Sequence, residues 1–217
     1  MPPPEALPPE LWHLIVTALN NDCFVWCVLR HVSSYMRLVA EDVFARHFLR
    51  SCSVRFAGEN AKKLLPLDLQ ENAGVLRQRR DPRPFYSTLH PLYRPPTFRF
   101  QPCVFVPEDL KTRLVLTLCD PESDPSFILA DPKPTTVPLD RLADIFFEPG
   151  TQADSKRVRL LHDAHFVRYN NRLKCLRIPS LVIDTNARHI TLDWRQLCQD
   201  FLYDEMRCRV NSASLGQ

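Results

Sequence analysis

The stretch TFRFQPCVFVPEDLKTRLVLTLC, residues 97–119, decides how the chain is read. In its first half Phe98, Phe100, Val104 and Val106 alternate with Arg99 and Gln101, and in its second Leu114, Leu116 and Leu118 alternate with Val115, Thr117 and Cys119. Successive side chains of a strand point to opposite faces, so a two-residue period predicts strands with one apolar face each. Residues from about 9 to 50 keep a helical period instead, and the change between the two makes this an α+β chain.

Downstream, further strands are predicted at 126–130, 157–161, 165–169, 173–178, 181–184 and 189–192, with Asn170-Asn171 and Asn186-Ala187 as turn dipeptides. Residues 139–147 read as a short helix. A last helix is announced by Asp193 with Gln196 three residues on, a variant of the capping box, and carries the stripe Trp194, Leu197, Cys198, Phe201 and Leu202. Residues 97–210 are therefore expected to form a mostly antiparallel sheet with one late helix packed on it.

Upstream, residues 51–96 read as a proline-rich connector, with prolines at 66, 82, 84, 91, 95 and 96 and a short strand at 53–56. Before it, three helices fit. The first places Leu11, Leu14, Ile15, Ala18 and Leu19 at the i, i+3, i+4, i+7, i+8 spacing of an amphipathic helix. The second runs through Phe24, Cys27, Val28 and Val32, and the third through Met36, Val39, Ala40, Val43, Phe44 and Phe48. A unit of some 45 residues is close to the lower limit for a self-supporting core, so it is expected to lean on something else.

Twenty prolines stand against four glycines, so most turns are built from fixed φ angles and from Asn, Asp or Ser. The formal net charge of +3 does not by itself argue for nucleic acid. No stretch approaches the ~18 apolar residues of a membrane span, and the first thirty residues lack the basic and apolar regions of a secretory signal. The eight scattered cysteines fit reduced thiols, several within apolar patterns, which points to the cytoplasm or nucleus.

Cys23, Cys27 and His31 could share a helix face, but no second pair completes a four-ligand set, and core packing explains them better. His162 and His165 fall where a strand would send them to opposite faces. No metal and no cofactor is therefore expected. Arg77, Arg79, Arg80 and Arg83, beside Phe85 and Tyr86, suit phosphate contact and base stacking as well as a solvated linker. With glycines only at 58, 74, 150 and 216, no glycine-rich phosphate cradle can form, and neither a nucleophile elbow nor a metalloprotease motif occurs. The chain is not expected to be an enzyme.

The N-terminal helices carry a further signal. Leu7-Pro8-Pro9-Glu10-Leu11 matches the L-P-x-E-[IL] opening of the F-box, Ile15 and Leu19 its next apolar positions, and Leu29, Val32, Ser33, Tyr35 and Arg37 its later portion. Over about residues 6–50 the chain thus resembles an F-box, with Cys23 where the family more often has leucine and Tyr35 where it often has tryptophan. An F-box followed by a proline-rich region and an unclassified body also resembles a layout common in filamentous fungi. The resemblance implies a substrate receptor of an SCF-type cullin-RING ubiquitin ligase. The helices would bind a Skp-family adaptor, and through it a cullin, while residues 97–210 would hold a protein target that the sequence does not name. The adaptor-binding residues it implies are Leu7, Pro8, Leu11, Ile15, Leu19, Leu29 and Val32. Two alternatives stay open: a nucleic-acid or phosphate-binding protein using Arg77 to Arg83, and a purely structural interaction protein.

Overall fold

The computed structural model describes residues 7–56, 58–70, 97–106, 112–119, 137–170 and 172–214. The chain begins with α1 (Pro9–Ala18), α2 (Asp22–Cys27), a 3₁₀ turn at Leu29–His31 and α3 (Ser34–Ser51). It continues through β1 (Cys52–Arg55), α4 (Glu59–Leu64), a second 3₁₀ turn at Leu67–Leu69, β2 (Arg99–Phe105) and β3 (Arg113–Leu118). Then come α5 (Leu139–Phe147), α6 (Thr151–Leu161), β4 (Ala164–Tyr169), β5 (Arg172–Arg177), β6 (Val182–Asp184), β7 (His189–Asp193) and α7 (Trp194–Ser214). Among the described residues, no helix is long and apolar enough to cross a membrane.

The strands form one seven-stranded sheet in the order β5-β4-β1-β2-β3-β7-β6, and every neighbouring pair is antiparallel. The alternation that opened the reading sets its faces. Val54, Phe100, Leu114, Leu116, Val167, Tyr169, Ile190 and Leu192 are all buried at two-residue spacing along their strands. Pro102 is tolerated within β2 because the register shifts between Pro102 and Val104, and because the pairing with β1 reaches only Arg99 and Phe100.

The α+β architecture is as expected, with helices at the N-terminus and a late helix on an antiparallel sheet. The stretch 51–96 is more than a connector, since β1 lies in the middle of the sheet between β4 and β2 and is followed by α4. Four residues are too few to display a convincing period, so a central strand was legible only as the short segment expected at 53–56. The strand expected at 157–161 is the second half of α6. Its Arg-Val-Arg-Leu alternation misleads because Arg157 turns inward, where it is 4% exposed and donates to the Phe146 and Glu148 carbonyl oxygens at 2.9 and 2.7 Å. Those are C-terminal carbonyls of α5, which lack partners within their own helix. The strand expected at 126–130 and the arginines at 77–83 lie outside the described residues.

Aromatic side chains fill the space between sheet and helices. Phe56, Phe98, Phe100 and Phe146 meet with ring centroids about 5 Å apart. At the other end Trp26 of α2 contacts Phe44 of α3 at 4.7 Å and Trp194 of α7 at 5.8 Å, and its Nε1 donates to Gln199 Oε1 at 3.1 Å. The N-terminal helices thus lean on the C-terminal helix of their own chain.

Candidate docking surface

Pro8 and Pro9 suit the entrance of α1, where an absent N–H leaves nothing unsatisfied and φ is already near its helical value. The Pro8 carbonyl accepts from Leu11 N at 3.0 Å, and Glu10 complements the positive end of the helix. At the far end Asn20 adopts a left-handed φ of 45°, which asparagine tolerates, and the Asn21 side chain accepts from Phe24 N at 3.2 Å to start α2.

Three contacts fasten α1 along one side. Val16 is buried and Trp12 packs against the core. His13 Nε2 lies 3.2 Å from Asp42 Oδ2 on α3, which also pairs with Arg46 at 2.7 Å. Tyr35 donates to the carbonyl oxygen of Leu7 at 3.3 Å, which ties down the residue ahead of the helix.

At about 100° per residue, Trp12 and Val16 share one side of α1, and Leu11, Leu14 and Ile15 share the other. The second side faces solvent: Leu11 is 44% exposed, Leu14 67% and Ile15 41%. Leu7 and Leu19 extend the same exposed row at its two ends, and Pro8 is exposed beside Leu7. The periodic stripe of α1 is therefore a row presented outward, on a helix held from behind.

The other implied adaptor-binding residues divide. Val32 is 67% exposed, whereas Leu29 is half-buried and packs against the core. Of the stripe expected on the second helix, Phe24 on α2 and Val28 and Val32 beyond its end are exposed, whereas Cys27 packs against the core, as do the buried Cys23, Val25 and Trp26. A helix of six residues, apolar on most sides, does not announce which side is covered. Leu14, Phe24, Val28 and Leu38 are exposed apolar residues that the motif match does not single out. For Leu14 the signal was present in the periodicity of α1.

Cys23 lies in the core with its thiol 3.8 Å from the Leu202 carbonyl oxygen. His165 is fully buried in β4, and His162 ends α6. Compared with known protein families, characterised proteins and solved structures, the chain matches none.

Proposed function

We propose that this chain is the substrate-recognition subunit of an SCF-type ubiquitin ligase, acting in the cytoplasm or nucleus. On this reading α1 and its flanks bind a Skp-family adaptor, and the sheet domain holds a protein target. The observation that carries it is the outward row Leu7, Leu11, Leu14, Ile15 and Leu19 on a helix already fastened by Trp12, His13 and Val16. Leaving large aliphatic side chains in water forgoes roughly 1.5–3 kcal/mol for each fully buried one, so a row of them on one helix face marks an interaction site. Four of the five, Leu7, Leu11, Ile15 and Leu19, are residues that the F-box resemblance assigns to the adaptor.

The mechanism is proximity. Two binding surfaces on one chain raise the effective concentration of a target lysine near the transfer machinery, and this chain supplies no acid, base or nucleophile. The test is capture of purified Skp adaptor by wild type and by a Leu11→Asp, Ile15→Asp double variant. About 1 kcal/mol of remaining burial is available at each position, and a carboxylate forced into an apolar contact costs more, so binding falls at least about 30-fold. Folding is little affected, because both side chains are exposed and Leu11 lies in the first turn, where aspartate suits the helix dipole. Equal capture by the two proteins refutes the proposal.

A further inference from the structure

We infer that two copies of this chain pair through the edge strand β5, antiparallel and about a two-fold axis at Cys175, so that their sheets join into one. The inference does not use the adaptor reading.

Among the described residues β5 is the last strand on its side of the sheet, and each of its six residues pairs with β4 without bulge or proline. The opposite edge, β6, has only three residues. The parity of the ladder tells which backbone groups of β5 are used. Asn170 N donates to the Ser51 carbonyl oxygen at 3.2 Å, just ahead of β1, so Arg168 and Phe166, of the same parity, turn their backbone groups to β1. Tyr169, Val167 and His165 therefore turn theirs to β5, where they meet Arg172, Lys174 and Leu176. The N–H and C=O groups of Leu173, Cys175 and Arg177 are left pointing to the open edge, and such a row is a template for a further strand.

The usual protection of an edge by charge is missing along most of this one. Arg172 Nη1 lies 2.8 Å from Glu205 Oε2 and Lys174 Nζ 2.9 Å from Asp204 Oδ2, so both cations are drawn onto α7. On the other face of the strand Leu173 is 56% exposed and Cys175 is exposed, and of that row only Arg177, at the end, carries a charge.

A second β5 fits this edge in one register. Centred on Cys175, the antiparallel pair sets Cys175 against Cys175, Leu173 against Arg177 and Lys174 against Leu176 of the second copy. Every outward backbone group then has a partner, and Lys174 and Arg177 each face an aliphatic side chain that their stems can cover. A centre on Lys174 or on Arg177 opposes that residue to its own copy, and a centre on Leu173 opposes Arg172 to Lys174, each a destabilising pair of like charges. A centre on Leu176 brings Leu173 opposite Pro179, which has no N–H to give. The favoured pairing is self-complementary, as a closed two-fold dimer requires.

The test is sedimentation equilibrium of the full reduced chain from about 1 to about 100 μM, the range suited to a small interface. Monomers give way to dimers as concentration rises. Leu173→Lys opposes Arg177 of the second copy with a like charge and Leu173→Glu with an opposite one, so the glutamate variant dimerises at least about fivefold more tightly than the lysine variant. Leu173 is exposed, and both variants fold. A short bis-maleimide joins Cys175 to Cys175, as mass spectrometry of the cross-linked dimer shows. A monomer at every concentration overturns the inference and leaves the edge to an extended segment of another protein. A dimer equally tight in the two Leu173 variants, or cross-links that leave Cys175 out, overturns it as well.

Discussion

Glu41 is the residue whose removal best measures how firmly the N-terminal helices are fixed to the rest of the chain. Its carboxylate, 12% exposed, accepts from Arg30 Nε and Nη2 at 2.9 and 2.7 Å through Oε1 and from Arg195 Nε at 2.8 Å through Oε2. Arg30 lies over the Trp26 ring at 4.6 Å and Arg195 over the Trp194 ring at 5.1 Å, so one carboxylate organises α2, α3 and α7 together. Breaking a buried ion pair from one side costs 3–5 kcal/mol, and the arginines, 17% and 29% exposed, recover some hydration when abandoned. Glu41→Ala should therefore cost about 3 kcal/mol. Glu41→Gln keeps one acceptor oxygen and should cost about half of that. With an m-value of about 2–3 kcal/mol per molar urea, the alanine variant unfolds about 1 M earlier. Urea titration followed by tryptophan fluorescence measures both shifts. A change below about 0.5 kcal/mol in both variants, or equal losses in the two, would refute the assignment of Glu41 as the fastening residue.

Other consequences can be checked on the same protein. Val16→Ala should cost about 1–2 kcal/mol and Leu14→Ala less than about 0.5 kcal/mol by urea titration, since Val16 is 4% exposed and Leu14 67%; equal costs would mean that α1 is turned the other way. Burial beside the Phe56 ring lowers the His165 pKa below its ordinary 6.5 despite nearby Asp163, so the unfolded chain takes up a proton first as pH falls. Below about pH 6.5 stability should then drop by up to about 1.4 kcal/mol per pH unit until the folded-state pKa is reached, and urea titrations across pH 5–7.5 should show a shallower dependence for His165→Leu; identical profiles would contradict this. Burial also pushes the Cys52 and Cys198 thiols well up, so iodoacetamide at pH 8 should alkylate the exposed Cys103 and Cys175 and leave Cys52 and Cys198 unmodified until denaturation. Mass spectrometry reads the outcome, and rapid modification of either buried thiol in native protein contradicts the packing.

Much of the fold was legible because its long-period signals are local. The alternation at 98–101 and 114–119 became β2 and β3, and Asp193 does cap α7, its Oδ1 accepting from Arg195 N and Gln196 N at 2.8 and 3.1 Å. Asp184 likewise closes the turn before β7 by accepting from Asn186 N and Ala187 N, each at 2.9 Å. What escaped was decided by partners distant in sequence. The centrality of β1 depends on β2 and β4, which lie more than forty residues further on. At 157–161 the alternation misled because the charged Arg157 is buried and donates to carbonyls of α5, a contact that local sequence does not display. The exposed apolar row of α1 was legible as a stripe but not as a surface. Periodicity places Leu11, Leu14 and Ile15 on one face, and only the contacts of Trp12, His13 and Val16 settle which face is turned inward.

The central claim is that the outward face of α1 is completed by an adaptor. It is tested most directly by amide hydrogen exchange of the full chain with and without purified Skp adaptor. The account predicts that binding slows exchange across Pro9–Ala18 and the adjoining Asp22–Cys27 helix, with the strands Ala164–Tyr169 and Arg172–Arg177 unchanged. An adaptor that leaves α1 unprotected, or that protects the sheet instead, would contradict it.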